Sequence, residues 1–303
     1  MNSIALSGVA RSSVLVDLRI RAYTGRKQDR ATQEEVTTSK GAASRRAASV
    51  YKSLFADCKE LDRALSLQAR ARARHYAMTL PWSDTGSRLL PLTGMKAYQE
   101  TMSDLQSQFD AAVQAFLVKY DTLVAGAAFQ LGTLFDRSEY PSRDTVARRF
   151  SLTVDYNPLP LAGDFRVEAE SDLQNELMRQ YEERTASLVA GAQRDAWTRL
   201  HETLTHLAER LADKGEGKRG RIYDTLVSNP AELCGLLTTF NITGDPTLEA
   251  ARVALERVLV GTSADELRKS PDERAHVKQS VEQILSGFDW GVIGEGDDRE
   301  VAA

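Results

Sequence analysis

The stretch that decides the fold is Thr79-Leu80-Pro81-Trp82-Ser83-Asp84-Thr85-Gly86-Ser87-Arg88-Leu89-Leu90-Pro91, which interrupts two long runs with helical periodicity. Pro81 cannot continue an incoming helix, because proline lacks an N–H and its ring clashes with the preceding turn. Gly86 permits a tight reversal, and Pro91 suits the start of an outgoing helix. The stretch therefore predicts the turn of a long antiparallel helical hairpin, with Trp82 and Arg88 at its far end.

Both runs carry apolar residues at alternating steps of four and three, which is typical of a narrow helical seam. The incoming helix is predicted over about 34–78, with the seam Ala47, Tyr51, Leu54, Cys58, Leu61 and Leu65. The outgoing helix is predicted over about 92–129, with the seam Tyr98, Met102, Leu105, Phe109, Ala112 and Phe116. Two seams of matching length pair naturally as an antiparallel hairpin.

Alternating apolar and polar side chains predict strands at 14–22 and 150–156, with a short third strand at 164–167. A lone hairpin is marginal in water, so we expect all three in one small antiparallel sheet. The alternative is a hairpin formed by the strands at 150–156 and 164–167 alone, with the strand at 14–22 lying elsewhere in the protein. A third long helix is predicted over about 170–213. The predicted fold class is α+β, mainly α.

The chain divides by composition into five predicted segments. They are a flexible N-terminus at 1–13, a long-helix domain with the small sheet at 14–213, a linker at 214–220, a C-terminal helical domain at 221–290 and a disordered tail at 291–303. Glycines among charged residues indicate the linker, and an acidic, glycine-rich composition indicates the tail.

The composition is that of a soluble globular protein, with 303 residues, 42% hydrophobic and 27% charged. No apolar run reaches the length of a membrane span, and the first residues lack the apolar core of a signal peptide. Cys58 and Cys234 fall at apolar helical positions, which favours reduced core residues over a disulfide or a metal pair. The sequence therefore predicts a cytoplasmic protein without a membrane partner.

Charge is unevenly distributed along the chain. Residues 1–78 contain fifteen Lys and Arg against seven Asp and Glu, a net +8, whereas residues 79–303 carry a net −12. Such asymmetry suggests either an anionic partner or assembly of complementary copies. The alternative is a solvated, positively charged helix that lies beside a negatively charged helix of the same chain. The most basic cluster is Arg19, Arg21, Arg26, Lys27 and Arg30, on the first strand and the connector after it.

No pattern of catalytic or metal-binding residues emerges. His201 and His206 are five residues apart, whereas the zinc motif H-E-x-x-H places its histidines four apart on one helical face. Gly215-Glu216-Gly217-Lys218 lacks the spacing of a phosphate-binding loop. We therefore predict a non-enzymatic protein without a cofactor or a metal.

Two sets of residues are predicted to bind partners. Trp82 and Arg88 are residue types enriched at interface hot spots, although Trp82 with Leu89 and Leu90 would equally plug the end of its own hairpin. The cluster of five cations would contact the phosphates of a nucleic acid. Tyr23 is its only aromatic neighbour, and stacking platforms for nucleic acid usually have more.

In combination, four motifs resemble a bacteriophage and prophage family that carries a domain of unknown function. They are 79–84 (TLPWSD), 88–91 (RLLP), 140–142 (YPS) and 163–167 (GDFRV), and the similarity would cover roughly 14–287. Members of the family are often encoded near a MoxR-like (cobaltochelatase-type) AAA+ ATPase and a von Willebrand factor A protein. The resemblance implies a phage origin and an AAA+ ATPase as a partner, and it implies no catalytic residues.

The sequence thus predicts a phage interaction or assembly protein. Its long helices expose more apolar surface than one hairpin and a small sheet can cover, which predicts a homo-oligomer. An adaptor role toward an AAA+ ATPase is part of this hypothesis. The alternative is a nucleic-acid-binding accessory protein that uses the basic strand and connector.

Overall fold

The computed structural model of the protein describes residues 3–44, 46–83, 86–160, 171–212 and 222–291. The helices are α1 (Ser3–Ser12), α2 (Arg30–Ser39), α3 (Lys59–Ala77), α4 (Met95–Leu131), α5 (Arg143–Ala147), α6 (Ser171–Leu211), α7 (Thr225–Phe240), α8 (Pro246–Leu259), α9 (Ala264–Lys269) and α10 (Pro271–Gly287). The strands are β1 (Ser13–Arg21), β2 (Arg26–Gln28), β3 (Tyr51–Ser53), β4 (Leu80–Pro81), β5 (Arg88–Pro91) and β6 (Ser151–Pro158). The predicted fold class, mainly helical α+β, is confirmed.

The main sheet has the strand order β4-β5-β1-β6. β1 pairs antiparallel with β5, with Val14 opposite Leu90 and Val16 opposite Arg88. β1 and β6 are neighbours in this sheet, as the sequence predicted, whereas the third predicted strand, at 164–167, lies outside the described residues. The predicted linker at 214–220 and nearly all of the predicted tail lie there too. Residues 3–12, which were predicted to belong to a flexible N-terminus at 1–13, form α1.

The stretch at 79–91 is a β-hairpin rather than a bare turn between helices. β4 and β5 pair antiparallel, with Leu80 opposite Leu89. Gly86 has φ 104° and donates its N–H to the Ser83 carbonyl at 3.2 Å, which closes the turn in a conformation that favours glycine. Pro81 is tolerated because β4 is an edge strand, where the missing N–H breaks no ladder bond.

The single incoming helix predicted at 34–78 is wrong. α2 ends at Ser39, β3 follows at Tyr51–Ser53, and α3 begins only at Lys59. Gly41 at φ 64° and Asp57 at φ 57° have left-handed backbone conformations that an α-helix cannot contain. With 19 residues, α3 is about 28 Å long, whereas one helix over 34–78 would be roughly 68 Å long. The outgoing helix and the third long helix are confirmed as α4 and α6.

The chain forms two compact units. Unit 1 contains Met1–Asp17, Tyr76–Tyr98 and Tyr156–Ala303, and unit 2 contains Leu18–His75 and Gln99–Asp155. In unit 1, α6 packs against β4, α7, α8 and α10, so its apolar residues meet neighbours on several sides of the helix. The core of this unit includes the buried α6 residues Val189, Ala192, Ala196, Leu200, Leu204 and Leu207.

Unit 2 is organised around α3 and α4, which lie side by side and antiparallel. Glu60 near the start of α3 forms an ion pair with Lys119 in the second half of α4. An aromatic cluster fills the core, with the ring of Phe55 5.4 Å from the rings of both Phe116 and Tyr140. The Tyr140 hydroxyl donates to the Leu54 carbonyl at 3.0 Å, which anchors the segment before α3 to the one after α4.

Candidate interaction surfaces

Trp82 does not lie at an exposed tip. Its side chain is 8% exposed and belongs to the core of unit 1, together with Leu80 and Leu89. The hairpin pairs with β1 and does not project, so the premise of the predicted partner site is wrong. Leu80 and Trp82 are two residues apart, which places both on one face of an extended chain. That spacing was the available sign of a core position.

Arg88 is half-buried and bonded within unit 1. Its Nε donates to Thr79 Oγ1 at 2.7 Å and its Nη2 donates to the Thr79 carbonyl at 2.9 Å. The guanidinium also stacks over the Tyr76 ring, 4.6 Å from the centroid. Burial lowers the pKa of Arg88, and the neighbouring Arg199 lowers it further. Arg88 therefore fixes the start of the hairpin, and its guanidinium is not presented as a free binding group.

Arg199 on α6 completes this cluster, and the sequence analysis did not identify it. Its Nη1 donates to the Ala77 carbonyl at 2.9 Å and its Nη2 to the Tyr76 carbonyl at 3.1 Å and the Thr79 carbonyl at 2.9 Å. These carbonyls lie at or just beyond the C-terminal end of α3, where helices leave acceptors without partners. Arg199 also forms an ion pair with Asp195, whose Oδ2 lies 2.7 Å from Arg199 Nε. Burial raises the pKa of Asp195, and Arg199 opposes that change.

The five predicted nucleic-acid-binding cations do not form one surface. Arg19 forms an ion pair with Asp155 at 3.0 Å, and Lys27 lies 3.9 Å from Glu139. Within the described ranges, Arg21, Arg26 and Arg30 are exposed and make no ion pair.

Three of the predicted cations line an open groove of about 980 Å³ in unit 2. Arg26, Lys27 and Arg30 are joined there by Lys52 and by four carboxylates, Asp29, Glu35, Asp136 and Glu139. Lys52 Nζ forms an ion pair with Glu139 at 2.8 Å and donates a hydrogen bond to the Leu134 carbonyl at 2.7 Å. The charges of the groove balance, so it lacks the excess of cations typical of phosphate-binding surfaces.

The part of the chain that the structure describes contains no group of three or more His, Cys, Asp or Glu residues able to hold a metal ion. Cys58 and Cys234 are free and buried, and burial raises the pKa of Cys234 to about 11, so it is a poor nucleophile. His201 packs against the Trp290 ring at 4.9 Å. Among the described helices, none combines the length and apolar character needed to span a membrane.

One face of α4 is apolar and exposed. Val118 is 80% exposed and Phe129 is 93% exposed, an unusual degree for large apolar side chains. They belong to a row of exposed residues spaced four and three apart, here called the α4 seam: Ala111, Ala115, Val118, Thr122, Ala125 and Phe129. At about 100° per residue, these six positions fall within roughly 40° of one line on the helix.

The α4 seam lies opposite the buried face of the same helix. Phe109 and Phe116, which belong to the seam predicted from the sequence, and Tyr120 are each 2% exposed or less and pack into the core of unit 2. The buried seam was thus predicted from the sequence, and the exposed one was not. Its residues are mostly Ala and Thr, which give little hydrophobic signal.

The two sides of the α4 seam carry opposite charges. On the side of α3, an open groove of about 560 Å³ is lined by Lys59, Glu60 and Arg63 together with Ala111 and Ala115 of the seam. Lys119 lies on this side too, because it pairs with Glu60. Asp110 and Asp121, both exposed, lie on the other side of the seam. The α4 seam is therefore an apolar strip between a basic flank and an acidic flank.

The chain matches no family model, no curated protein and no solved structure.

Proposed function

We propose that the protein is a non-enzymatic interaction protein that self-associates through the α4 seam. The observation that carries the proposal is the exposed apolar row from Ala111 to Phe129. An apolar row with four-three spacing fits a second helix with the same spacing, as in coiled coils. The basic and acidic flanks make this face complementary to itself, so a second copy of the chain is the partner that it fits best.

The size of the α4 seam sets the expected strength of association. It extends over 19 residues, from 111 to 129, which is about 27 Å of helix. A helix pair of this length buries less than the roughly 800 Å² per partner of a standard interface. We therefore expect a dissociation constant of about 1–100 µM rather than nanomolar binding.

A charge placed within the seam tests the proposal. Val118→Glu would bury a carboxylate between the two copies, so we expect the dimer to be lost. Gln106→Glu is the matched control, because Gln106 is an exposed α4 position about 140° from the middle of the seam. Light scattering over a concentration series should show dimers of the wild type and of Gln106→Glu only. Equal association of all three proteins would refute the seam as the contact.

The phage setting and the adaptor role toward a MoxR-like AAA+ ATPase rest on the family resemblance alone. A tagged protein purified from infected cells should bring the ATPase with it if the adaptor role holds. Purification without any ATPase, from cells that express one, would remove that role and leave self-association intact. The free cysteines Cys58 and Cys234 support the proposed cytoplasmic location.

The second candidate function is nucleic-acid binding, and it is favoured by the three exposed cations without an ion pair among the described residues, Arg21, Arg26 and Arg30. If the groove lined by Arg26, Lys27 and Arg30 contacts phosphates, an Arg26/Lys27/Arg30→Ala variant should bind DNA more weakly and with a smaller salt dependence. Because the groove is electrically balanced, we expect no retention of the wild type on a DNA column at about 0.15 M salt. Retention that the triple substitution abolishes would favour the second function.

A further inference from the structure

We infer that two copies of the chain pack with their α4 helices parallel, about a two-fold axis that runs along the helices between the two seams. This inference rests on the proposed function and adds the direction of the partner helix. It follows from the distribution of charge on the two flanks of the seam.

The flanks lie at comparable angles on either side of the α4 seam. At about 100° per residue, Lys119 lies roughly 80° from the middle of the seam on one side, and Asp121 roughly 80° on the other. Helix α3 adds Lys59, Arg63 and Glu60 on the side of Lys119, which gives this flank a net charge of +2. On the opposite side, α4 itself contributes two negative charges, those of Asp110 and Asp121.

The direction of the partner helix decides which flanks meet. A two-fold axis along the helices turns the second copy so that its acidic flank faces the basic flank of the first, on both sides of the contact. A two-fold axis perpendicular to the helices gives an antiparallel pair, in which basic flank faces basic flank and acidic faces acidic. Opposite charges across an interface favour association, and like charges oppose it.

The positions of the charged groups along the α4 axis also fit the parallel pair. A parallel two-fold pair brings each residue to the level of the same residue in the other copy. Lys119 then lies two residues, about 3 Å, from the level of Asp121 in the second copy. The groove is lined by Arg63 and by α4 residues from Ser107 to Ala115, so Arg63 and Asp110 lie along the same stretch of α4. The acidic and basic groups of the two copies therefore occupy overlapping stretches of the helix.

Shape alone does not separate the two arrangements. The parallel pair places Phe129 against Phe129 of the second copy, whereas the antiparallel pair places Phe129 against Ala111. Both bury the exposed phenyl ring. The distribution of charge distinguishes them, and it selects the parallel pair.

Disulfide cross-linking tests the direction directly. Ala111→Cys and Ala125→Cys are prepared as separate variants, and each is oxidised in dilute solution and run on a non-reducing gel. In a parallel pair each variant meets its own copy, so both should form covalent dimers. Cys58 and Cys234 are buried with raised pKa values, so the unmodified chain is the control and should remain uncross-linked.

A charge substitution provides a second test, because it should change the dissociation constant in opposite directions in the two arrangements. Asp121→Asn removes one attraction on each side of a parallel pair, so the dissociation constant should rise roughly two- to tenfold at low salt. The difference should shrink at about 0.5 M salt. In an antiparallel pair the same substitution relieves repulsion and would strengthen association.

The outcomes distinguish this inference from the proposed function. Cross-linking only in a mixture of Ala111→Cys with Phe129→Cys, or tighter association of Asp121→Asn, would overturn the parallel arrangement. Dimers by light scattering without any cross-link along the seam would overturn it too, and would leave self-association standing. A wild type that stays monomeric at every concentration would overturn both.

Discussion

Trp82→Ala should destabilise unit 1 strongly. The side chain is 8% exposed and packs with Leu80 and Leu89 in the core. Truncation of a buried Trp to Ala typically costs about 3–5 kcal/mol, because transfer energy is lost and a cavity remains. In a domain of about 150–250 residues, 1 kcal/mol lowers the melting temperature by roughly 2–4 °C. The expected decrease is therefore about 6–20 °C.

Tryptophan fluorescence is a suitable assay, because all three tryptophans lie in unit 1 and Trp197 and Trp290 remain in the variant. The control is Tyr223→Ala, which removes an aromatic ring that is 58% exposed in the same unit. The control should melt within about 3 °C of the wild type. A decrease of less than 3 °C for Trp82→Ala as well would refute the core position and restore the exposed tip.

Three further predictions concern single side chains. Arg88→Ala should lower the free energy of unfolding by about 1–3 kcal/mol in urea titrations, and Arg88→Lys should recover only part, because lysine cannot make both bonds to Thr79. A full recovery by lysine would contradict the two-bond account. Burial raises the pKa of Tyr23 to about 12, so the stability due to Tyr23 is fully present below about pH 10 and is lost between pH 10 and 12. Tyr23→Phe should lose less stability over that range, because phenylalanine has no hydroxyl to ionise. The substitution breaks no hydrogen bond among the described residues, since the Tyr23 hydroxyl has no partner there. The Cys234 thiol should resist alkylation at pH 8 until the protein unfolds, which mass spectrometry would show; rapid reaction of the native protein would contradict its burial.

The elements that the sequence predicted well are those with long, regular periodicity. In α4 and α6, apolar residues recur over many turns, and in β1 apolar and polar residues alternate over a whole strand. Periodic patterns of this length seldom arise by chance. The prediction of one helix at 34–78 was wrong because Ala47, Tyr51 and Leu54 have the spacing of the α3 seam although they lie before the start of that helix. Leu54 is buried, but it reaches the core from a connecting segment.

The candidate site depended on information that only the fold provides. In sequence, the residues of the α4 seam form a weak pattern, because four of the six are Ala or Thr. The structure shows which side of α4 the helix α3 covers, and therefore which apolar row stays exposed. Similarly, Arg88 looked like an exposed binding group until Thr79 was placed beside it.

Sedimentation equilibrium of the wild type and Phe129→Ala, each from about 1 to 300 µM, tests self-association through the α4 seam most directly. We expect the wild-type mass to rise from the 33.5 kDa of one chain toward twice that value as concentration increases. Phe129→Ala should shift the midpoint to at least about tenfold higher concentration, because the most exposed apolar ring of the seam is lost. A wild type that stays at 33.5 kDa throughout, or a Phe129→Ala protein that associates as strongly as the wild type, would contradict the α4 seam as the site of self-association.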